Sequence, residues 1–175
     1  MIKKIIVATS GASGVNLGIK TLELLPKNIE RHLIMSENSK IVLKKEMDDV
    51  IIHNNKDISA TIASGSFGVD AMIIVPCSMN TVAKIACGIA DNLITRSASV
   101  MIKEQKKLIL APREMPFSAI ALENMQKLAS LGIVIAPPVM AYYSKQQTLE
   151  EMENFIIGKW FDILGIENNL YQRWE

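Results

Sequence analysis

Five short apolar runs punctuate the chain, at residues 5–8 (IIVA), 32–35 (HLIM), 72–75 (MIIV), 108–111 (LILA) and 133–136 (IVIA). None alternates apolar with polar positions, so each predicts a strand covered on both faces. Between them lie stretches of helical length at roughly 14–25, 37–47, 79–88, 91–105 and 117–131. Strand–helix alternation of this kind predicts a parallel sheet flanked by helices. A last helix over 148–164 is marked by a capping box, Thr148 with Glu151, and by Gly165 at its end. Its wheel puts Leu149, Met152, Ile156, Trp160 and Ile163 on one apolar stripe, with Lys159 on it. The least regular segment is 48–66, and Ser64-Gly65-Ser66-Phe67-Gly68 reads as a loop.

Length and composition narrow the function classes. A chain of 175 residues, 49% apolar and 21% charged, suits one domain over 1–175, with the final helix and the tail 166–175 expected at subunit contacts. A net charge of +1 argues against a general nucleic-acid binder. Cys77 and Cys87 lack zinc-ligand spacing and sit among apolar residues, which predicts two buried thiols in a reducing compartment. His32 and His53 stand far apart in sequence, so a multi-histidine metal site is not expected. No apolar run reaches the length of a signal-peptide core or a membrane span, and the expected location is the cytoplasm.

Four polar motifs follow the predicted strands. Pro112-Arg113-Glu114-Met115-Pro116 places a cation and a carboxylate between two prolines, where parallel sheets bind ligands. It suits a site that holds an anion and moves protons; the alternative is an Arg–Glu staple in a loop. Thr9-Ser10-Gly11-Ala12-Ser13-Gly14 is a small-residue turn feeding a helix N-terminus, an anion cradle in outline. It is neither the dinucleotide fingerprint nor a triphosphate loop. In Pro76-Cys77-Ser78-Met79-Asn80-Thr81, Ser78 is a natural N-cap. Two such turns at successive strand ends predict a shared groove, which suits a flavin mononucleotide. Pro137-Pro138-Val139-Met140-Ala141-Tyr142-Tyr143 offers two phenols on a stiffened segment. On the helix opened by Asp91, Arg96, Ser99 and Lys103 share one face, either solvated or phosphate-holding.

In order along the chain, these motifs resemble the flavin prenyltransferase, or UbiX, family. Its pattern runs GASG, PCSMKT, TRA…LKE, PRETP and PPVPAFY before a final helix, matched here at 11–14, 76–81, 95–104, 112–116 and 137–143. The resemblance extends to Arg173-Trp174 and implies a three-layer α/β fold, Rossmann-like or flavodoxin-like, with a central parallel sheet. It also implies an enzyme that needs no metal. Such enzymes transfer a dimethylallyl group from dimethylallyl monophosphate to N5 and C6 of reduced FMN. The product, prenylated FMN, serves UbiD-type decarboxylases. Carried over by motif, Gly11, Ala12, Ser13, Ser36, Ser78, Met79, Asn80, Thr81 and Arg113 would hold FMN. Arg96, Lys103, Tyr143 and Lys159 would hold the prenyl phosphate. Ser13, Glu46 and Glu114 would be catalytic, the two carboxylates as acid/base groups. The family's homo-oligomers, commonly dodecamers, place sites at subunit junctions. This chain differs in having Leu17, Asn80, Met115, Met140, Ser144-Lys145-Gln146 and Lys159, where the family often has Tyr, Lys, Thr, Pro, His-Arg-Pro and Arg.

Two other readings compete. An FMN-dependent decarboxylase of cysteine-like substrates usually carries a catalytic histidine and a PASANT-type turn, where this chain has Pro76-Cys77-Ser78-Met79-Asn80-Thr81. A non-catalytic flavin-binding accessory subunit would share the cradle without the chemistry.

Overall fold

Six parallel strands, in the order β3-β2-β1-β4-β5-β6, form the centre of the protein. The structure is a computed structural model and describes residues 1–11, 13–37, 47 and 49–173. The strands are β1 (Lys4–Ser10), β2 (Glu30–Met35), β3 (Val50–Asn54), β4 (Ala71–Cys77), β5 (Lys107–Pro112) and β6 (Val134–Ile135). The helices are α1 (Val15–Leu24), α2 (Met79–Ala86), α3 (Leu93–Lys103), α4 (Ala119–Ser130) and α5 (Leu149–Leu164). The three-layer parallel α/β architecture is as expected from the sequence.

Successive strand residues feed opposite cores, which explains the unbroken apolar runs. Ile6, Ala8, Met72, Ile74, Leu108 and Leu110 pack with α2, α3 and α4. Ile5, Val7, Ile73, Val75, Ile109 and Ala111 pack with α1 and α5. The Trp160 indole N–H, on α5, donates to Ala136 O at 3.0 Å and fixes the helix to the chain leaving β6.

Several local expectations change. Strand β3 falls inside the stretch read as irregular; Ile51 and Ile52 are half exposed there because β3 is an edge strand. The Ser64–Gly68 stretch contains a 3-10 turn, Gly65–Phe67. The helix expected at 37–47 lies almost wholly outside the described residues. Helix α3 is capped by Asn92, in a box with Thr95, while Asp91 pairs with Lys84 at 2.5 Å. On α5 the box of Thr148 with Glu151 and the Gly165 terminus are as expected. Its buried face, however, is carried by Phe155, Ile156, Ile157, Trp160, Phe161 and Leu164, with Leu149 and Ile163 exposed. The sheet it covers is wider than a single heptad stripe. Cys87 is exposed at the C-cap of α2; Cys77 is buried, and burial pushes its thiol up to about 12.

Parallel pairing of β2 with β3 brings together the two histidines that sequence distance kept apart. His32 Nδ1 lies 3.0 Å from His53 Nε2, and His32 Nε2 lies 2.8 Å from Glu30 Oε1. A neutral His32 donating to Glu30 leaves Nδ1 to accept from His53. Burial lowers both imidazoles below their ordinary 6.5; Glu30 opposes this at His32, and Asp57 opposes it at His53. Lys4, packed 4.0 Å over the Phe67 ring beside the pair, adds to the lowering at His32. With folded-state values depressed, the unfolded chain takes up protons first, so stability is lost as pH falls below about 6.5. The urea midpoint is expected to drop between about pH 7 and about pH 5, and His53→Gln should flatten that slope. The depressed aspartates, including Asp70 and Asp162, act lower, below their ordinary 3.8.

Candidate active site

The chain direction across the sheet reverses between β1 and β4, since β2 and β3 extend to one side and β5 and β6 to the other. Ligands bind such sheets outside the strand C-termini at this switch. Register sets the site: Thr9 pairs with Met35, Ser10 with Cys77, and Cys77 with Pro112. The next residues on the four strands are therefore neighbours, namely Ser36, Gly11, Ser78 and Arg113. A cleft of about 90 Å³ between them is lined by Ser10, Gly11, Ser13, Ser78, Arg113 and Glu114, among others.

Hydrogen bonds hold the rim. Ser10 Oγ donates to Pro76 O at 3.4 Å and accepts from Ser78 N–H at 3.1 Å, tying β1 to β4. Ser36 Oγ accepts from Gly11 N–H at 3.4 Å. Ser78 caps α2 by accepting from Thr81 N–H at 3.2 Å, and the two hydroxyls lie 3.0 Å apart. Thr81 is thereby buried behind the rim, with Met79 half-buried and Asn80 exposed.

Helix α1 opens differently. Gly14 precedes it at φ 90°, with no side-chain cap and no acidic residue in the first turn. Its first-turn amides thus carry no side-chain cap and no acidic neighbour within the turn, the disposition that suits a ligand phosphate. A Cβ at Gly14 would make only ordinary contacts with Pro76 and Arg113, so it is the φ of 90° that favours glycine there. These features fit FMN, whose phosphate needs donors and whose ring needs a groove at the switch point.

Arg113 and Glu114 are exposed and form no ion pair with each other among the described residues. Glu114 Oε1 accepts from Met115 N–H at 3.1 Å, which fixes the carboxylate at the cleft rather than against the arginine. The loop-staple alternative is thereby set aside.

The expected phosphate-holding residues fall elsewhere. Tyr143 and Lys159 line a cavity of about 540 Å³ against α5, with Lys145, Phe155, Tyr171 and Arg173. Lys103, with Ser99, lines a groove of about 370 Å³ between α2, α3 and α4, and pairs with Glu104 at 3.1 Å. Arg96 is exposed on α3 and lines neither. One chain therefore brings Tyr143 and Lys159 together but not with Arg96 or Lys103. Ala12 and Glu46 lie outside the described residues. Lys145, Tyr171 and Arg173 were missed in the sequence; an aromatic–cation pair just past a glycine-terminated helix was the signal available. Among the described residues no three His, Cys, Asp or Glu side chains could hold a metal, and no helix is long and apolar enough to cross a membrane.

Fold and cleft define a doubly wound α/β protein whose switch-point cleft suits a phosphorylated ligand, and the flavoprotein family profile matches residues 1–160. The flavin prenyltransferase UbiX of Helicobacter pylori strain J99 is 52% identical, with 98% of each chain covered. A solved dodecameric FMN-dependent UbiX-like decarboxylase from Escherichia coli O157:H7 superposes with a TM-score of 0.91 at 40% identity, covering 98% of this chain and 99% of that one. AnUbiX, solved with FMN and dimethylallyl pyrophosphate, gives 0.92 at 40% identity, covering 100% and 98%. The chain belongs to the flavin prenyltransferase family.

Proposed function

We propose that this protein transfers a dimethylallyl group from dimethylallyl monophosphate to reduced FMN, making prenylated FMN for a UbiD-type decarboxylase in the cytoplasm. The observation that carries the reading is the uncapped α1 N-terminus facing Ser78, Arg113 and Glu114 across one cleft, in a chain 52% identical to a flavin prenyltransferase. Bound reduced FMN supplies the nucleophilic N5 and C6.

Each side chain then has a task. Gly11, Ala12, Ser13, Ser36, Ser78, Met79, Asn80, Thr81 and Arg113 hold the flavin, with Ser13 near its reacting nitrogen. Tyr143 and Lys159 receive the prenyl phosphate; cations there neutralise the leaving group without a metal. Glu114 and Glu46 move protons. Arg96 and Lys103 serve the same phosphate from another copy of the chain, which makes the homo-oligomer, a dodecamer by analogy with the Escherichia coli relative, part of the site.

Anaerobic incubation of the purified protein with reduced FMN and dimethylallyl monophosphate is expected to yield a flavin heavier by one prenyl unit, with the diphosphate as comparator. An unaltered flavin mass would favour the accessory role. Release of CO₂ from a cysteine-terminated peptide, again without flavin gain, would favour the decarboxylase.

A further inference from the structure

After α5 ends at Gly165, the tail turns back along the helix and Asp162 receives it. Asp162 Oδ1 accepts from Arg173 at 2.8 Å and from Asn168 Nδ2 at 3.0 Å. Its Oδ2 accepts from Arg173 at 3.2 Å and from the Tyr171 hydroxyl. A two-pronged guanidinium pair is geometrically demanding and fixes the arginine plane. Gly158 makes room for this fold-back: a Cβ there would meet Tyr171 Cδ1 at 2.5 Å and Asn168 Oδ1 at 3.0 Å. The seated Tyr171 ring packs edge-on to Phe155, centroids 5.0 Å apart, and Lys159 Nζ lies 5.9 Å from its centroid. Phe155 in turn meets Tyr143 edge-on at 6.0 Å. Burial alone would raise the Asp162 carboxyl, but the bonds from Arg173, Tyr171 and Asn168 hold it below its ordinary value.

We propose that Asp162 is a positioning residue for the prenyl-phosphate pocket: it latches the tail onto α5 so that Tyr171 and Arg173 wall the 540 Å³ cavity containing Tyr143 and Lys159. This rests on the assignment of that cavity to the prenyl phosphate. Asp162 does not line the cavity itself, and its charge is matched by Arg173, so Lys145 and Lys159 keep their positive field for an anionic ester. The Tyr171 and Phe155 rings present apolar faces to the prenyl chain.

The test titrates FMN-loaded protein with dimethylallyl monophosphate by calorimetry and measures kcat and KM anaerobically. Asp162→Asn is expected to raise both Kd and KM for the ester by about tenfold, with FMN affinity, saturating kcat and Tm near wild type. Asp162→Glu should recover part of the loss. Gly158→Ala displaces Tyr171 without touching the carboxylate and should raise KM likewise. Wild-type Kd and KM in Asp162→Asn overturn the proposal, as does a lowered Tm with both constants unchanged. Should Asp162→Asn not fold, Gly158→Ala and Tyr171→Phe are held to the same criteria. Weakened ester binding with no prenylated flavin from any variant, wild type included, sinks the prenyl-transfer reading and leaves the latch standing. Prenylated flavin formed with Kd and KM for the ester unchanged by the substitution does the reverse. No ester binding by the wild type overturns the latch.

Discussion

Glu114→Gln is expected to lower prenyl transfer by about 10²–10⁴-fold while FMN still binds. The carboxylate stands in the cleft with Ser13, Ser78 and Arg113, and it accepts a hydrogen bond from its own neighbour's amide at 3.1 Å. Glutamine reproduces the shape and can accept the same bond, so the loop and the flavin cradle are preserved. What it removes is a group able to take a proton from the flavin carbon after the new bond forms. Single-turnover mass spectrometry follows the chemistry, and quenching of flavin fluorescence follows binding. Turnover equal to wild type would remove Glu114 from the mechanism. Lost FMN binding would recast it as a cradle residue.

Much of this site was legible because the sequence carries it in local units. Each of the Gly11, Ser78 and Arg113 motifs follows a doubly buried strand, and strand alternation alone predicts that their ends share one edge. Strand order was not legible: that β1 lies beside β4, making Gly11 face Ser78, depends on which crossover goes which way. Strand β3 was missed because its pairing partner supplies the order that its half-exposed side chains cannot. The same long-range pairing joins His32 to His53. The cavity at Lys159 was only half visible, because its other wall is a tail whose place is set by a carboxylate on α5. Arg96 and Lys103 are tied to Tyr143 by resemblance alone, because nothing in the pattern of one chain marks a residue that another copy would supply.

Gly18→Ala should cost about 3 kcal/mol of stability, the upper end for overpacking a rigid interior. Gly18 sits one turn into α1, where the helix lies closest to the sheet. A Cβ there would come within 2.3 Å of Val75 O and 2.8 Å of Thr9 Cγ2. The carbonyl is main chain of β4 at a buried residue, so it cannot yield as a side-chain tip would. The helix must lift instead, and lifting it moves the N-terminus that faces the cleft. Two losses should therefore appear together: a Tm lower by about 6–12 °C, and weaker FMN binding in protein that is still folded well below that Tm. Helix propensity opposes this, since alanine is favoured over glycine by about 1 kcal/mol in a helix interior. An unchanged or raised Tm would show that α1 can ride outward without penalty. A lower Tm with full FMN affinity would separate the close packing of α1 from the cradle it is held to serve.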